Sequence, residues 1–221
     1  MLLLSLAALL QPVSVAPGQT GAAACELHVW PTSSFMAASH GPTLGSILGG
    51  NPGGEARPRH DVRQMLANIA SDDFQRAAIE ELHLGNSGRF SGYRVIVHPV
   101  PADSSYSDAW FSGGRNMGAG DRRSASAASC YAELHIVIIS YLRATGGRGV
   151  NTIFLYREFG SSGPATGWAA DATSNGAPAF PPRSPEQDAQ ATVDLRAAIQ
   201  QNLRDFLGSR AMQPTRLRRP R

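Results

Sequence analysis

Two apolar runs in the middle of the chain predict its strongest β-strands. They are Tyr131–Leu142 and Val150–Phe159, and a glycine-rich linker separates them. Glycine readily adopts the positive φ angles that hairpin connections need, so the two runs predict an antiparallel hairpin. Apolar side chains occupy both faces of each run, which indicates central strands that are covered on both sides.

Three shorter runs predict further strands, at Cys25–Trp30, at Tyr93–His98 and, as a weaker signal, at Trp168–Thr173. The segment after the first strand, residues 31–59, is rich in Gly, Pro and Ser. Such a composition predicts a long loop.

Apolar residues with helical spacing occur in two places. In residues 61–84 the spacing is three and four, and Ser71 is a candidate N-cap that divides the segment into two consecutive helices or one kinked helix. A further helix begins after Ser184 and Pro185, which suit the N-cap and the first helical position, and it ends at Gly208.

The predicted order is therefore β-α-β-β-β-α, and the weaker strand would precede the last helix. This order indicates an α+β fold in which helices pack on one face of an antiparallel or mixed β-sheet. A chain of 221 residues has room for one such domain, which we place at residues 25–207.

The element order resembles that of small accessory domains of Gram-negative envelope proteins, including the curli-secretion and outer-membrane-assembly lipoproteins. The similarity covers residues 25–207 as an order of elements, and no sequence motif of those proteins is matched. It implies an accessory role in the periplasm or at the outer membrane, and it assigns no functional residue.

The start of the chain has the pattern of a secretory signal. The apolar run Met1–Leu10 precedes three alanines, Ala22–Ala24, and signal peptidase accepts such small side chains at its cleavage site. The run is too short to cross a bilayer as a helix, and it contains no Lys or Arg. We expect residues 1–24 to be a signal peptide and the mature protein to lie in the periplasm or on the periplasmic face of the outer membrane.

The two cysteines, Cys25 and Cys130, begin two of the predicted strands. Cysteines of exported proteins usually pair, and strands that start side by side bring their Cα atoms within disulfide range. A Cys25–Cys130 disulfide is therefore one prediction. The alternative is that Cys25 is lipidated, as in bacterial lipoproteins, which would attach the protein to a membrane and exclude the disulfide.

All 20 basic residues are arginine, and the absence of lysine excludes active sites of the P-loop, Schiff-base and Ser-x-x-Lys classes. Residues 208–221 contain five arginines and no acid, so the net charge of +3 reflects this tail rather than a binding face. We expect the tail to be disordered and dispensable for folding. It offers no aromatic side chain for base stacking, and we expect no nucleic-acid partner.

A Glu-Leu-His tripeptide follows each cysteine, at Glu26–His28 and at Glu133–His135. On a strand the Glu and the His of each tripeptide share one face, so a disulfide would bring together four possible zinc or copper ligands. The same tripeptide recurs at Glu81–His83 in a predicted helix, where the two side chains diverge, so chance explains the pattern. We therefore assign no metal, no cofactor and no catalytic residue.

Strict alternation along the hairpin places Val137, Ile139, Ile153 and Leu155 on one face, which we take as a candidate partner face. Without cover from residues 31–59, these side chains would favour a homo-oligomer or an envelope protein partner.

We therefore expect an exported accessory or binding protein of the cell envelope without catalytic activity. The alternative is a secreted hydrolase or metal-binding enzyme, which a concave site with His or carboxylate groups would indicate.

Overall fold

The structure is a computed structural model, and it describes residues 25–39, 60–86, 88–102, 120–144, 147–161, 163–212 and 215–216. The predicted signal peptide, most of the predicted loop at 31–59 and the end of the tail lie outside the described residues.

The described strands form one mixed β-sheet of seven strands. They are β1 (Glu26–Trp30), β2 (Phe35–Ser39), β3 (Arg94–Val97), β4 (Tyr131–Ala144), β5 (Gly147–Phe159), β6 (Ala165–Gly176) and β7 (Thr215–Arg216). The order across the sheet is β3-β1-β4-β5-β6-β7, and β2 pairs with the second half of β4. β1 runs parallel to both β3 and β4, whereas β4, β5, β6 and β7 are successively antiparallel.

Three helices cover one face of this sheet, and they are α1 (His60–Ile69), α2 (Asp72–Glu80) and α3 (Asp188–Gly208). The Ser71 side chain accepts a hydrogen bond from the Phe74 N–H at 3.3 Å, so the predicted N-cap divides the first helical segment into two helices. Apolar side chains of all three helices and of one sheet face form the main core. The predicted α+β class, with helices on one face of a mixed sheet, is confirmed.

Strand β2 corrects the prediction that residues 31–59 form a loop throughout. β2 lies on β4 directly after β1, so the two short strands follow one another along the same edge of the long strand. Between them, the buried Gln75 side chain of α2 accepts a hydrogen bond from the Thr32 N–H and donates one to the Thr32 carbonyl oxygen, at 3.0 and 2.7 Å. A tertiary contact of this kind has no local signal in the sequence.

The predicted partner face is also corrected. An irregularity between Ile136 and Ile138 adds one residue to β4 opposite β5, so the alternation of faces reverses after Val137. Ile139 consequently lies in the helix-side core, whereas Val137, Ile153 and Leu155 lie on the opposite face. Val137, Ile139 and Leu155 are 1% exposed or less within the single chain, so they offer no open surface to a partner.

The interpretation of residues 208–221 as a disordered tail is wrong for the part that the structure describes. Arg210–Met212 form a short 3₁₀-helix, and the Met212 side chain is buried in the main core at 3% exposure. The guanidinium of Arg89 donates a hydrogen bond to the Met212 carbonyl oxygen. β7 then adds a short strand to the edge of β6.

We therefore predict that Met212→Ala destabilises the protein by about 2–5 kcal/mol, the usual range for truncating a buried methionine. Urea unfolding of the purified protein measures the change. Arg210→Ala, at an exposed position of the same 3₁₀-helix, is the matched control and should change the free energy of unfolding by less than about 0.5 kcal/mol. Equal effects of the two substitutions would contradict the docking of the tail.

Candidate functional site

Polar and aromatic side chains gather on the sheet face opposite the helices, which we call the far face. Successive residues of a strand point to opposite faces, so every second residue of β1, β3, β4 and β5 contributes to this group. We call the group the histidine cluster, and its members are Glu26, His28, Trp30, Arg94, His98, Tyr131, Glu133, His135 and Arg157.

The predicted disulfide between Cys25 and Cys130 is present and joins the starts of β1 and β4, with their Cα atoms 4.8 Å apart. It sets the parallel register in which His28 lies opposite Glu133 and Trp30 lies opposite His135. The two Glu-Leu-His tripeptides therefore do converge on one face. The sulfur of Cys25 is bonded to Cys130 in this structure, so it is not available for a lipid.

Glu133 occupies the centre of the histidine cluster and is completely buried. Its Oε2 atom accepts hydrogen bonds from the Arg157 guanidinium and from His135 Nε2, the latter at 3.1 Å. Its Oε1 atom accepts hydrogen bonds from the Tyr131 hydroxyl at 2.9 Å and from the Arg123 N–H at 2.6 Å. The carboxylate thus forms a buried ion pair whose acceptor atoms are all used.

Glu26 is the second carboxylate of the cluster and lies at its outer end. Its Oε1 atom is bound by the guanidinium of Arg94, whose side chain is 66% exposed. Its Oε2 atom accepts hydrogen bonds from His28 Nε2 at 3.0 Å and from the Ser126 hydroxyl. The outer end of the cluster therefore combines an enclosed carboxylate with a solvent-facing guanidinium.

The imidazole rings of the cluster are arranged around Trp30. The rings of His98 and His135 are nearly parallel to the indole, with centroid distances of 4.2 and 4.8 Å. His28 bonds to His98 through a contact of 2.7 Å between its Nδ1 atom and Nε2 of His98. Hydrogen bonds and ring stacking therefore connect all three histidines to one indole.

Burial and hydrogen bonding change the pKa values of these groups in a consistent way. Hydrogen bonds from His28 and Ser126 lower the pKa of Glu26 to about 2. Glu133 also has a pKa of about 2, because hydrogen bonding from His135 and the charge of Arg157 outweigh the effect of burial. Burial lowers the pKa of His135 to about 4 and also lowers that of His98.

These pKa values predict that the protein loses stability in acid. The unfolded chain binds a proton at His135 near pH 6.5, whereas the folded protein binds it near pH 4. The contribution of the neutral His135 to the free energy of unfolding is therefore complete above pH 6.5 and is lost as the pH falls to 4. The pKa values of Glu26 and Glu133 are each lowered from 4.5 to about 2, so these two carboxylates extend the loss of stability to lower pH. The His135 contribution is on the order of 3 kcal/mol.

Urea unfolding at pH 7.5, 5.5 and 4 measures this loss. His135→Gln keeps a donor toward Glu133 and removes the titrating ring, so its free energy of unfolding should change less than that of the wild type between pH 7.5 and 4. An unchanged slope in the variant would assign the acid sensitivity to other groups.

The two converging tripeptides contain the four possible zinc or copper ligands of the sequence analysis. Among the residues that the structure describes, no group of three or more His, Cys, Asp or Glu side chains is placed to hold a metal ion. Both carboxylates are instead bonded to arginines, at Arg94 and Arg157. The arrangement is that of an ion-paired hydrogen-bond network.

Sequence reasoning missed Trp30, Arg94, His98 and Arg157 as members of the site. The alternation of Arg94, Ile96 and His98 on a predicted strand was an available signal that two polar side chains share a face. The pairing of β3 with β1, which brings His98 to His28, depends on sheet order and has no local signal.

Comparison with known proteins adds little. No family model matches the chain, and no curated protein matches it. Among solved structures, the chain is similar to a hypothetical protein from Chlamydia trachomatis, with 8% identity over 83% of this chain and 94% of that one, and a TM-score of 0.33. A similarity of this size carries no argument about function.

Proposed function

We propose that this chain is an exported accessory protein of the cell envelope that binds a partner and has no catalytic activity. The Cys25–Cys130 disulfide is consistent with an exported protein, because structural disulfides persist in oxidising compartments and are rare in the cytosol. No helix among the described residues has the length and apolar character needed to cross a membrane.

The neutralisation of the buried carboxylates supports a binding role over a catalytic one. Both Glu26 and Glu133 are held as carboxylates by arginine and histidine donors, so neither is poised to exchange a proton near neutral pH. The most exposed side chain of the cluster is that of Arg94, on β3 at one end of the strand order. An anionic surface on an envelope protein, or on a second copy of this chain, is the partner that this guanidinium would attract.

Crosslinking in the native host tests the proposed partner surface. A photoreactive residue at Ile96, which is on β3 beside Arg94, should give an adduct with one envelope protein, or with a second copy of the chain. Arg94→Glu should reduce this adduct. The same probe at Val193, which is 58% exposed on α3 on the helix side, is the matched control. Equal adducts from both positions, or none from Ile96, would contradict the proposal.

A secreted hydrolase is the second candidate, and one observation favours it. Glu26, His28 and His98 form a carboxylate–imidazole–imidazole chain, with contacts of 3.0 and 2.7 Å, and hydrolases use carboxylate–imidazole pairs to activate a nucleophile. Turnover of ester, phosphoester or peptide substrates by the purified protein, abolished by His98→Gln, would replace the binding proposal. We expect the purified protein to show no turnover that His98→Gln abolishes.

A further inference from the structure

Glu26, His28 and His98 form a continuous hydrogen-bonded chain that leads from the enclosed carboxylate to the edge of the sheet. His28 is 3% exposed, whereas His98 lies half-buried at the end of β3. The contacts along the chain are 3.0 Å from Glu26 Oε2 to His28 Nε2 and 2.7 Å from His28 Nδ1 to His98 Nε2. We propose that these three residues are a proton-binding relay, in which His98 takes up a proton from solvent and the resulting charge moves to His28 beside Glu26.

The direction of each hydrogen bond follows from the carboxylate. Glu26 is ionised near neutral pH and can only accept, so Nε2 of His28 carries a proton. In a neutral His28 the other ring nitrogen, Nδ1, is then an acceptor, and the proton between the two rings belongs to His98 Nε2. In a neutral His98 the remaining nitrogen, Nδ1, has a lone pair. The relay at neutral pH therefore ends in a proton acceptor on the half-buried ring.

Proton uptake at this acceptor is balanced by one transfer within the relay. A proton from solvent binds His98 Nδ1, and the proton on His98 Nε2 moves to His28 Nδ1. His98 is again neutral, with its proton now on Nδ1, and His28 is an imidazolium that donates to Glu26 and to His98. The net change is one proton bound and one positive charge placed against the Glu26 carboxylate. A second proton would put two cations in contact, so the pair holds one.

Several charged or titratable groups face this pair, and both signs are represented. They are Glu26 on β1, Arg94 on β3, Tyr131 and Glu133 on β4, Arg76 on α2 and Arg123 in the segment before β4, and His135 and Arg157 lie beyond them as partners of Glu133. Arg94 and His28 bind different oxygens of the Glu26 carboxylate, so a charged His28 would share this carboxylate with a second cation. Proton uptake should therefore be opposed by Arg94 and favoured by Glu26.

Nitrogen-15 NMR of the full-length protein from pH 8 to 4.5 tests the relay directly, because the ring nitrogen shifts report the tautomer and the charge of each histidine. Signals are assigned with His28→Gln and His98→Gln. The expected result is uptake of one proton by the pair, with His28 becoming the imidazolium and His98 changing its protonated nitrogen from Nε2 to Nδ1. Uptake of two protons at separate midpoints, or a neutral His28 beside a charged His98, would overturn the proposal.

Two substitutions give shifts of opposite sign. Glu26→Gln should lower the pH midpoint of proton uptake by about 1–3 units, the effect of losing an opposite charge in contact with the pair. Arg94→Met, at an exposed side chain, should leave the fold intact and raise the midpoint. Glu81→Gln, a surface carboxylate paired with Arg196, is the control and should leave the midpoint unchanged. If Glu26→Gln does not fold, Arg94→Met alone tests the proposal. A pH midpoint of proton uptake that is lowered or unchanged in Arg94→Met contradicts the relay.

Discussion

Replacing both cysteines by alanine is expected to destabilise the protein by about 4.7 kcal/mol, the value that the chain-entropy model gives for a loop of this length. The disulfide joins residues separated by 105 positions, so its removal returns a large amount of conformational freedom to the unfolded chain. Urea unfolding of the oxidised protein and of the double variant measures the difference.

The single substitution Cys25→Ala controls for the loss of side-chain contacts at Cys130. Both variants lack the crosslink, so they should be destabilised by similar amounts. The wild-type protein unfolded in the presence of a reducing agent should match them. A loss of less than about 1 kcal/mol in the double variant would show that the crosslink does little to restrict the unfolded chain.

Replacing Glu133 by glutamine is expected to cost about 3–5 kcal/mol, because it removes the carboxylate of a buried ion pair with the Arg157 guanidinium. The Arg157 side chain is 3% exposed and that of Glu133 is 0% exposed, so water cannot replace the lost carboxylate. Glutamine has nearly the same shape, so the loss reports the charge and not the packing.

The chain offers a matched control at its surface. Glu158 pairs with Arg89 at 3.0 Å, but both side chains are about one-third exposed, and Glu158→Gln should cost less than about 1 kcal/mol. The double variant Glu133→Gln/Arg157→Met removes both charges of the buried pair and should recover most of the loss. Equal costs for the buried and the surface substitution would contradict the assignment of Glu133 as the centre of the cluster.

The features that could be predicted from the sequence are those with a local pattern. The strands at Cys25–Trp30 and Tyr131–Leu142, the cap at Ser71 and the long last helix all follow from alternation, from helical spacing or from capping chemistry. The disulfide was predictable because each cysteine begins a strand. The common face of the two Glu-Leu-His tripeptides then followed from the period of two along a strand.

The features that could not be predicted depend on contacts between distant residues. One extra residue at Val137 reverses the faces of the second half of β4, and strict alternation therefore misplaced Ile139. Strand β2 forms because β4 extends beyond β1 and Gln75 binds the intervening Thr32. Met212 lies in a tail whose arginine-rich, proline-rich composition usually indicates disorder, yet its side chain fills a place in the core.

The position of β1 in the sheet determines when the protein can fold as the chain is synthesised. β1 lies between β3 and β4, which are supplied by Arg94–Val97 and Tyr131–Ala144. A chain that emerges N-terminus first therefore presents β1 before either of its neighbours has appeared. Until β3 emerges, both edges of β1 are unpaired, and until β4 emerges, the edge of β1 that faces β4 stays unpaired and the core around Leu27 and Val29 is incomplete. The sheet around β1 is therefore complete only after β4 has emerged.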